Sequence, residues 1–245
     1  MKRYTAILVA LALGGCASTY SLTPVASGSQ DLTYDQGIAV IVSKKENWVV
    51  GVAPTSTAFE GRVVLRVVAF NDSEANGNFG IENVRVFTSS GKIVRVFTYD
   101  QLVKEAKNKA AWQAFAVAMA ASANAYAASQ PATINSYGTA YGANGTLNYS
   151  SNSTIYNPAN TALTNSINQS QTRSNINQIT ESLDATLSGL GSSILRTTTI
   201  EPGNSFGGNV VMDRPVFAAD EDRTLRVIVS FDGEEHEFKF SIGAN

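Results

Sequence analysis

Two stretches of the chain alternate apolar and polar residues, and a long segment of helical spacing separates them. Residues 38–42 form an apolar, β-branched run, which Lys44, Lys45, Glu46 and Asn47 interrupt and residues 48–52 resume. Pro54 ends that strand, because proline brings no N–H to a central ladder. Residues 62–70 predict a further strand, followed by a polar turn region that contains Gly77. Val84-Arg85-Val86-Phe87-Thr88 and Val94-Arg95-Val96-Phe97-Thr98 are near duplicates on either side of Ser89-Ser90-Gly91-Lys92. Two alternating strands about a short glycine-containing link predict a hairpin. Toward the C-terminus, strand patterns at 194–200 and 206–212 flank the turn signal Pro202-Gly203. Leu225, Val227, Val229 and Phe231 then alternate up to Asp232-Gly233, and Phe238, Phe240 and Ile242 return. Asp-Gly between alternating strands is a strong hairpin signal. About eight or nine short strands of this kind suit an antiparallel sandwich.

Between the strand groups lie two helical patterns. Thr98 and Gln101 have the spacing of a capping box, and Gln130-Pro131 ends the first pattern. Trp112, Phe115, Met119 and Tyr126 recur on one face, and Val103, Ala106, Ala110, Ala114, Val117 and Ala121 line an adjacent one. Of the 19 residues 110–128, 11 are alanine, the strongest helix former. Asn157-Pro158 predicts the start of a second helix. There Ile176, Ile179, Leu183, Leu187, Leu190 and Ile194 step by threes and fours, and Gly189 and Gly191 predict its end. Each helix would run about 30 residues, or roughly 45 Å, which suits an antiparallel pair. The aromatic face is expected to meet Ile176, Ile179, Leu183 and Leu187. The alanine face would then meet another copy or an envelope partner, or else cover the sandwich. Residues 131–156, which join the helices, have no charge and no apolar period. They are expected to lack fixed structure, and neutral tracts of this kind also self-associate through strands.

Charge sharpens the division. The chain carries 18 basic and 20 acidic side chains, yet residues 111–180 contain one, Arg173. This argues for an α+β chain in which an antiparallel β-sandwich, residues 36–98 and 194–245, is interrupted by a helical insertion, residues 99–193, with a low-complexity loop at 131–156. No clustered basic surface points to a nucleic-acid partner.

The first residues carry a different kind of signal. Lys2 and Arg3, the apolar run 6–13 and Leu13-Gly14-Gly15-Cys16 are the parts of a secretory signal peptide over residues 1–15. The apolar run is too short to span a bilayer, which takes about 20 residues. Leu13-Gly14-Gly15-Cys16 resembles the lipobox of bacterial lipoproteins. The resemblance implies cleavage before Cys16, acylation of that cysteine and a membrane-anchored chain. Cys16 is the only cysteine present, and lipidation accounts for a leftover thiol in an exported chain. Stable anchoring takes two signals; members of the family carry a diacylglycerol and usually a third acyl chain. Ala17, where an aspartate would retain a lipoprotein at the inner membrane, implies the outer membrane of a diderm cell, on its periplasmic or surface side. Residues 16–35, rich in Ser, Thr and Gly, are expected to be a tether of roughly 25 Å.

The strand pattern around Glu201-Pro202-Gly203, with Gly207-Gly208-Asn209-Val210 and a closing hairpin, is similar to immunoglobulin-like modules of bacterial surface lipoproteins. The likeness covers residues 36–98 and 194–242. It implies an immunoglobulin-like sandwich and transfers no site residues.

Catalytic chemistry finds little material. Cys–His catalysis and most zinc sites draw on several Cys or His ligands, and this chain has one histidine, His236, besides the cysteine assigned to lipid. No nucleophile elbow or phosphate loop accompanies His236, which shares a strand face with Glu234 and Phe238 and is expected to be structural. Asp213, Asp220, Glu221 and Asp222 could in principle offer oxygen ligands to calcium, but a solvated acidic loop fits them better. The sequence therefore predicts a non-enzymatic envelope lipoprotein without cofactors. It would bind the membrane through Cys16 and act as a structural, assembly or interaction module with itself or an envelope protein. Trp112, Phe115, Met119 and Tyr126 are the candidate interaction face. The alternative is a ligand-binding or enzymatic surface lipoprotein whose site has no recognisable motif.

Overall fold

A computed structural model describes residues 19–129, 132–142, 145–155 and 158–244. Cys16 and the signal segment lie outside the described residues. The strands before the first helix are β1 (Tyr20–Val25), β2 (Asp31–Asp35), β3 (Ile38–Lys44), β4 (Trp48–Pro54), β5 (Ala58–Phe59), β6 (Val63–Asn71), β7 (Gly77–Phe79), β8 (Val84–Thr88), β9 (Ile93–Val94) and β10 (Val96–Phe97). Then come α1 (Tyr99–Ser129), β11 (Ala132–Gly142), β12 (Gly145–Ile155) and α2 (Pro158–Ser193). The chain closes with β13 (Thr198–Ile200), β14 (Ser205–Met212), β15 (Thr224–Phe231) and β16 (Glu234–Ala244). The architecture is α+β, mostly antiparallel sheet with two long helices. It divides into two compact units, residues 1–99 with 193–245 and residues 100–192.

The first unit contains two six-stranded sheets arranged like a sandwich. One has the order β5-β1-β16-β15-β8-β9, the other β10-β14-β6-β4-β3-β2. Alternation dictates which side chains are buried. Val63, Leu65, Val67 and Ala69 of β6, and Leu225, Val227, Val229 and Phe231 of β15, are all buried, while their neighbours along each strand are not. The aromatic centre joins the sheets: the Trp48 and Phe231 rings lie 4.7 Å apart, and Phe79 meets Phe231 edge-on at 5.1 Å. The predicted C-terminal hairpin is present, with Phe231 opposite Glu234 and positive φ at both Asp232 (47°) and Gly233 (82°). That is the primed turn whose twist matches the flanking strands.

Several expectations need correction. The expected tether at 16–35 holds two strands. β1 pairs along its whole length with β16 and buries Leu22, and β2 pairs with β3. β2 lies at the edge of its sheet and is exposed at every position, Leu32 and Tyr34 included. The near-duplicate strands do form a hairpin at Val86↔Val94 and Phe87↔Ile93. It ends at once: β10 leaves for the other sheet and pairs with β14. α2 continues through Gly189 and Gly191 to Ser193, since a glycine costs an interior helix position only about 1 kcal/mol.

In the second unit, residues 131–156 were expected to lack fixed structure. β11 and β12 instead pair in unbroken antiparallel register from Ala132↔Ile155 to Gly142↔Gly145. The helices are 31 and 36 residues long, about 46 and 54 Å at 1.5 Å per residue.

Candidate interaction surface

The helical unit decides between the two faces of α1. Val103, Ala106, Ala114, Val117, Ala121 and Ala125 are half-buried and Ala110 is buried, a continuous stripe stepping by threes and fours. Ala106, Ala110 and Gln113 share a recess with Ile179, Leu183 and Thr186 of α2. Further along, Val117, Ala121 and Asn124 share one with Asn168, Thr172 and Asn175. The alanine face is therefore the face that meets the partner helix, and the helices run antiparallel. This reverses the expected pairing. The stripe that looks weakest by hydrophobicity thus lines the seam.

The aromatic face is left outside. Trp112 is 72% exposed, Phe115 57% and Met119 56%. The Trp112 and Phe115 rings touch each other edge-on, with centroids 6.0 Å apart. The side chain of Tyr126, the fourth member of the candidate face, lies outside the described residues. On α2, Leu163 and Ile167 are also exposed, at 62% and 49%, and Arg173 is exposed. The seam itself changes character along its length. Near Leu183 both helices contribute apolar side chains; near Asn168 those of α2 are amide and hydroxyl. Asn165 Oδ1 and Asn168 Nδ2 are buried without a hydrogen-bond partner, and such groups cost about 1–3 kcal/mol each.

In the sandwich, His236 is fully buried, and its Nδ1 lies 3.0 Å from Ser43 Oγ. Its Nε2 is 3.7 Å from Glu234 Oε2. Burial lowers its pKa, Lys45 lowers it further, and Glu234 opposes both. Glu234 is tied down through its other oxygen, which accepts from the Asn47 backbone N–H at 2.9 Å and side-chain amide at 3.0 Å. Ser43 had no sequence signal, because it stands 193 residues from its partner. The ring has no exposed surface.

Of the acidic residues, Glu221 acts as a loop tether. One carboxylate oxygen accepts from Ser89 Oγ at 3.0 Å and the Ser90 N–H at 2.9 Å, the other from the Ala218 N–H at 3.0 Å. The Ser90 side chain, then the Ala218 and Ser90 amides, hold its pKa down at about 2. Asp213, Asp220 and Asp222 do not join it in a ligand set: among the described residues no three Asp, Glu, His or Cys side chains converge as for a metal.

Two surface depressions lie on the sandwich unit. One of about 330 Å³ on the outer face of the second sheet is lined by Ile38, Val40, Ala53, Arg66 and Val68. The other, about 420 Å³, lies beside β1 among Tyr20, Phe59, Arg214, Val216 and Arg223. Asp35 and Thr55 also line the first. No protein-family model, no curated protein and no solved structure matches this chain.

Proposed function

We propose that this chain is an envelope lipoprotein, acylated at Cys16 and held at the outer membrane of a diderm cell, whose helical unit assembles copies of the chain. The sandwich is taken as immunoglobulin-like, with the helical unit inserted between β10 and β13. The observation that carries the reading is the exposure of Trp112, Phe115 and Met119 on one face of a helix. A solitary surface helix keeps charges on its outer face, and contiguous exposed apolar side chains mark interaction sites. A second copy is favoured as the occupant because the surrounding surface is neutral: residues 111–180 carry only Arg173. Like surfaces meet there without charge repulsion, which a homotypic contact requires.

Met119→Cys tests this in cells, since the native Cys16 thiol is blocked if it is acylated. Mild oxidation of envelopes should give a disulfide-linked dimer that Trp112→Glu abolishes. Absence of any homotypic crosslink at normal protein level contradicts the reading. The alternative is a ligand-binding or enzymatic lipoprotein that uses the depression near Arg66 or that near Arg214.

A further inference from the structure

We infer that β11 and β12 are a membrane-spanning strand pair, which several copies of this chain contribute to one closed β-barrel. The inference rests on the assembly of copies proposed above and adds what that assembly builds.

Length comes first. Each strand has 11 residues, paired throughout with no bulge. At about 3.4 Å per residue that is roughly 37 Å. A transmembrane strand needs about 9–11 residues at a tilt of about 45°. Charge comes second. Neither strand contains a charged residue, and none occurs from residue 111 until Arg173, well into α2. A solvent-exposed hairpin gains nothing from such neutrality; one in hydrocarbon requires it.

Alternation comes third. Ala132, Ile134, Ala140, Leu147, Tyr149 and Ile155 fall on one set of register positions, together with Ser136, Ser151, Ser153, Gly138, Gly142 and Gly145. Asn135, Thr139, Asn148, Asn152 and Thr154 fall on the other. Asn135 stands opposite Asn152, and Thr139 opposite Asn148; this set also holds Tyr137 and Tyr141, opposite Ser150 and Thr146, so every member carries an amide or a hydroxyl. An apolar-out, polar-in dyad over segments of about 10 residues is the signature of a barrel strand. Among the described residues no helix is long and apolar enough to cross a membrane, so the neutral unit could enter a bilayer only through its strands.

The edges then dictate the number of chains. β11 and β12 form a two-stranded sheet, and its two outer edges carry unpaired N–H and C=O groups. In lipid such edges cannot be left open, and only closure satisfies them. A bacterial barrel takes about eight strands or more, hence about four or more chains at two strands each. A two-stranded hairpin alone in water is marginal, so the same edges favour neighbours.

The test uses the full mature chain with vesicles of phosphatidylcholine and phosphatidylglycerol, read by release of a trapped dye and by conductance in planar bilayers of the same lipids. Wild type should give discrete conductance steps. Ala140→Lys and Leu147→Lys, on the apolar set, should cut insertion at least about tenfold. Thr139→Lys and Asn148→Lys, on the polar set, should keep conductance and shift its selectivity toward anions. Circular dichroism confirms that each variant retains its fold. Equal loss in both sets, no loss in either, or no wild-type conductance overturns the inference, as does growth of strand-paired fibres without conductance. The Met119→Cys crosslink on the same samples separates the two claims. Crosslink without conductance overturns the barrel alone; absence of both overturns the assembly as well.

Discussion

His236 Nδ1 lies 3.0 Å from Ser43 Oγ, a contact between β16 and β3 that joins the two sheets inside the sandwich. The ring is held neutral by burial, so its folded pKa lies below the ordinary value of 6.5. As pH falls through about 6.5 the unfolded chain takes up a proton that the folded chain refuses. Stability is therefore full above that value and declines below it, down to the folded pKa. The urea midpoint of the wild type should drop between pH 7.5 and 5.5. His236→Gln should flatten that part of the profile at a cost of about 1 kcal/mol, with any envelope phenotype intact at equal protein level. An unchanged wild-type midpoint across this window would contradict the buried neutral imidazole.

Gly77 makes room for Trp48. A Cβ on Gly77 would stand 2.2 Å from Trp48 Cζ2, and Trp48 is fully buried against Phe231. Gly77→Ala should destabilise the sandwich by about 1–3 kcal/mol, the range for overpacking. Trp48→Phe in the same chain should recover part of that loss. Denaturation of the two single variants and the double variant measures the coupling, and additive effects would argue against this contact.

The seam between the helices predicts a split between two substitutions on one helix. Ala121 shares a recess with Thr172, so Ala121→Glu should part the helices and expose residues 100–192 to protease. Trp112 is 72% exposed, so Trp112→Glu should leave protease resistance unchanged. The opposite pattern would restore the aromatic seam that hydrophobicity alone suggests.

Much of the sandwich was legible because its strands announce themselves locally. The alternation of Leu225, Val227, Val229 and Phe231 and the Asp232-Gly233 turn need no distant partner to be read. β1 was not legible: its Ser21, Thr23 and Pro24 mask an alternation that matters only beside β16, more than 200 residues away. β11 and β12 escaped for a related reason, since glycine and serine dilute the apolar register set. On α1 both stripes were visible, but a ranking by hydrophobicity puts the aromatic stripe in the seam, where the alanine stripe lies. The same inversion moved Trp112, Phe115 and Met119 from the expected helix contact to the exposed surface.

The proposed anchor has its own test. Cys16→Ser should abolish incorporation of labelled palmitate and leave a soluble or unprocessed form. Labelling that persists in this variant would remove acylation at Cys16 from the account.

The central claim is that the exposed aromatic face of α1 joins copies of this chain, and sedimentation velocity measures it directly. Mature Cys16→Ser protein, free of lipid, should sediment as a concentration-dependent oligomer. Adding Trp112→Glu and Met119→Glu should return it to a folded monomer of unchanged circular dichroism. A monomer at every concentration before those substitutions, or an oligomer that survives them, would contradict the claim.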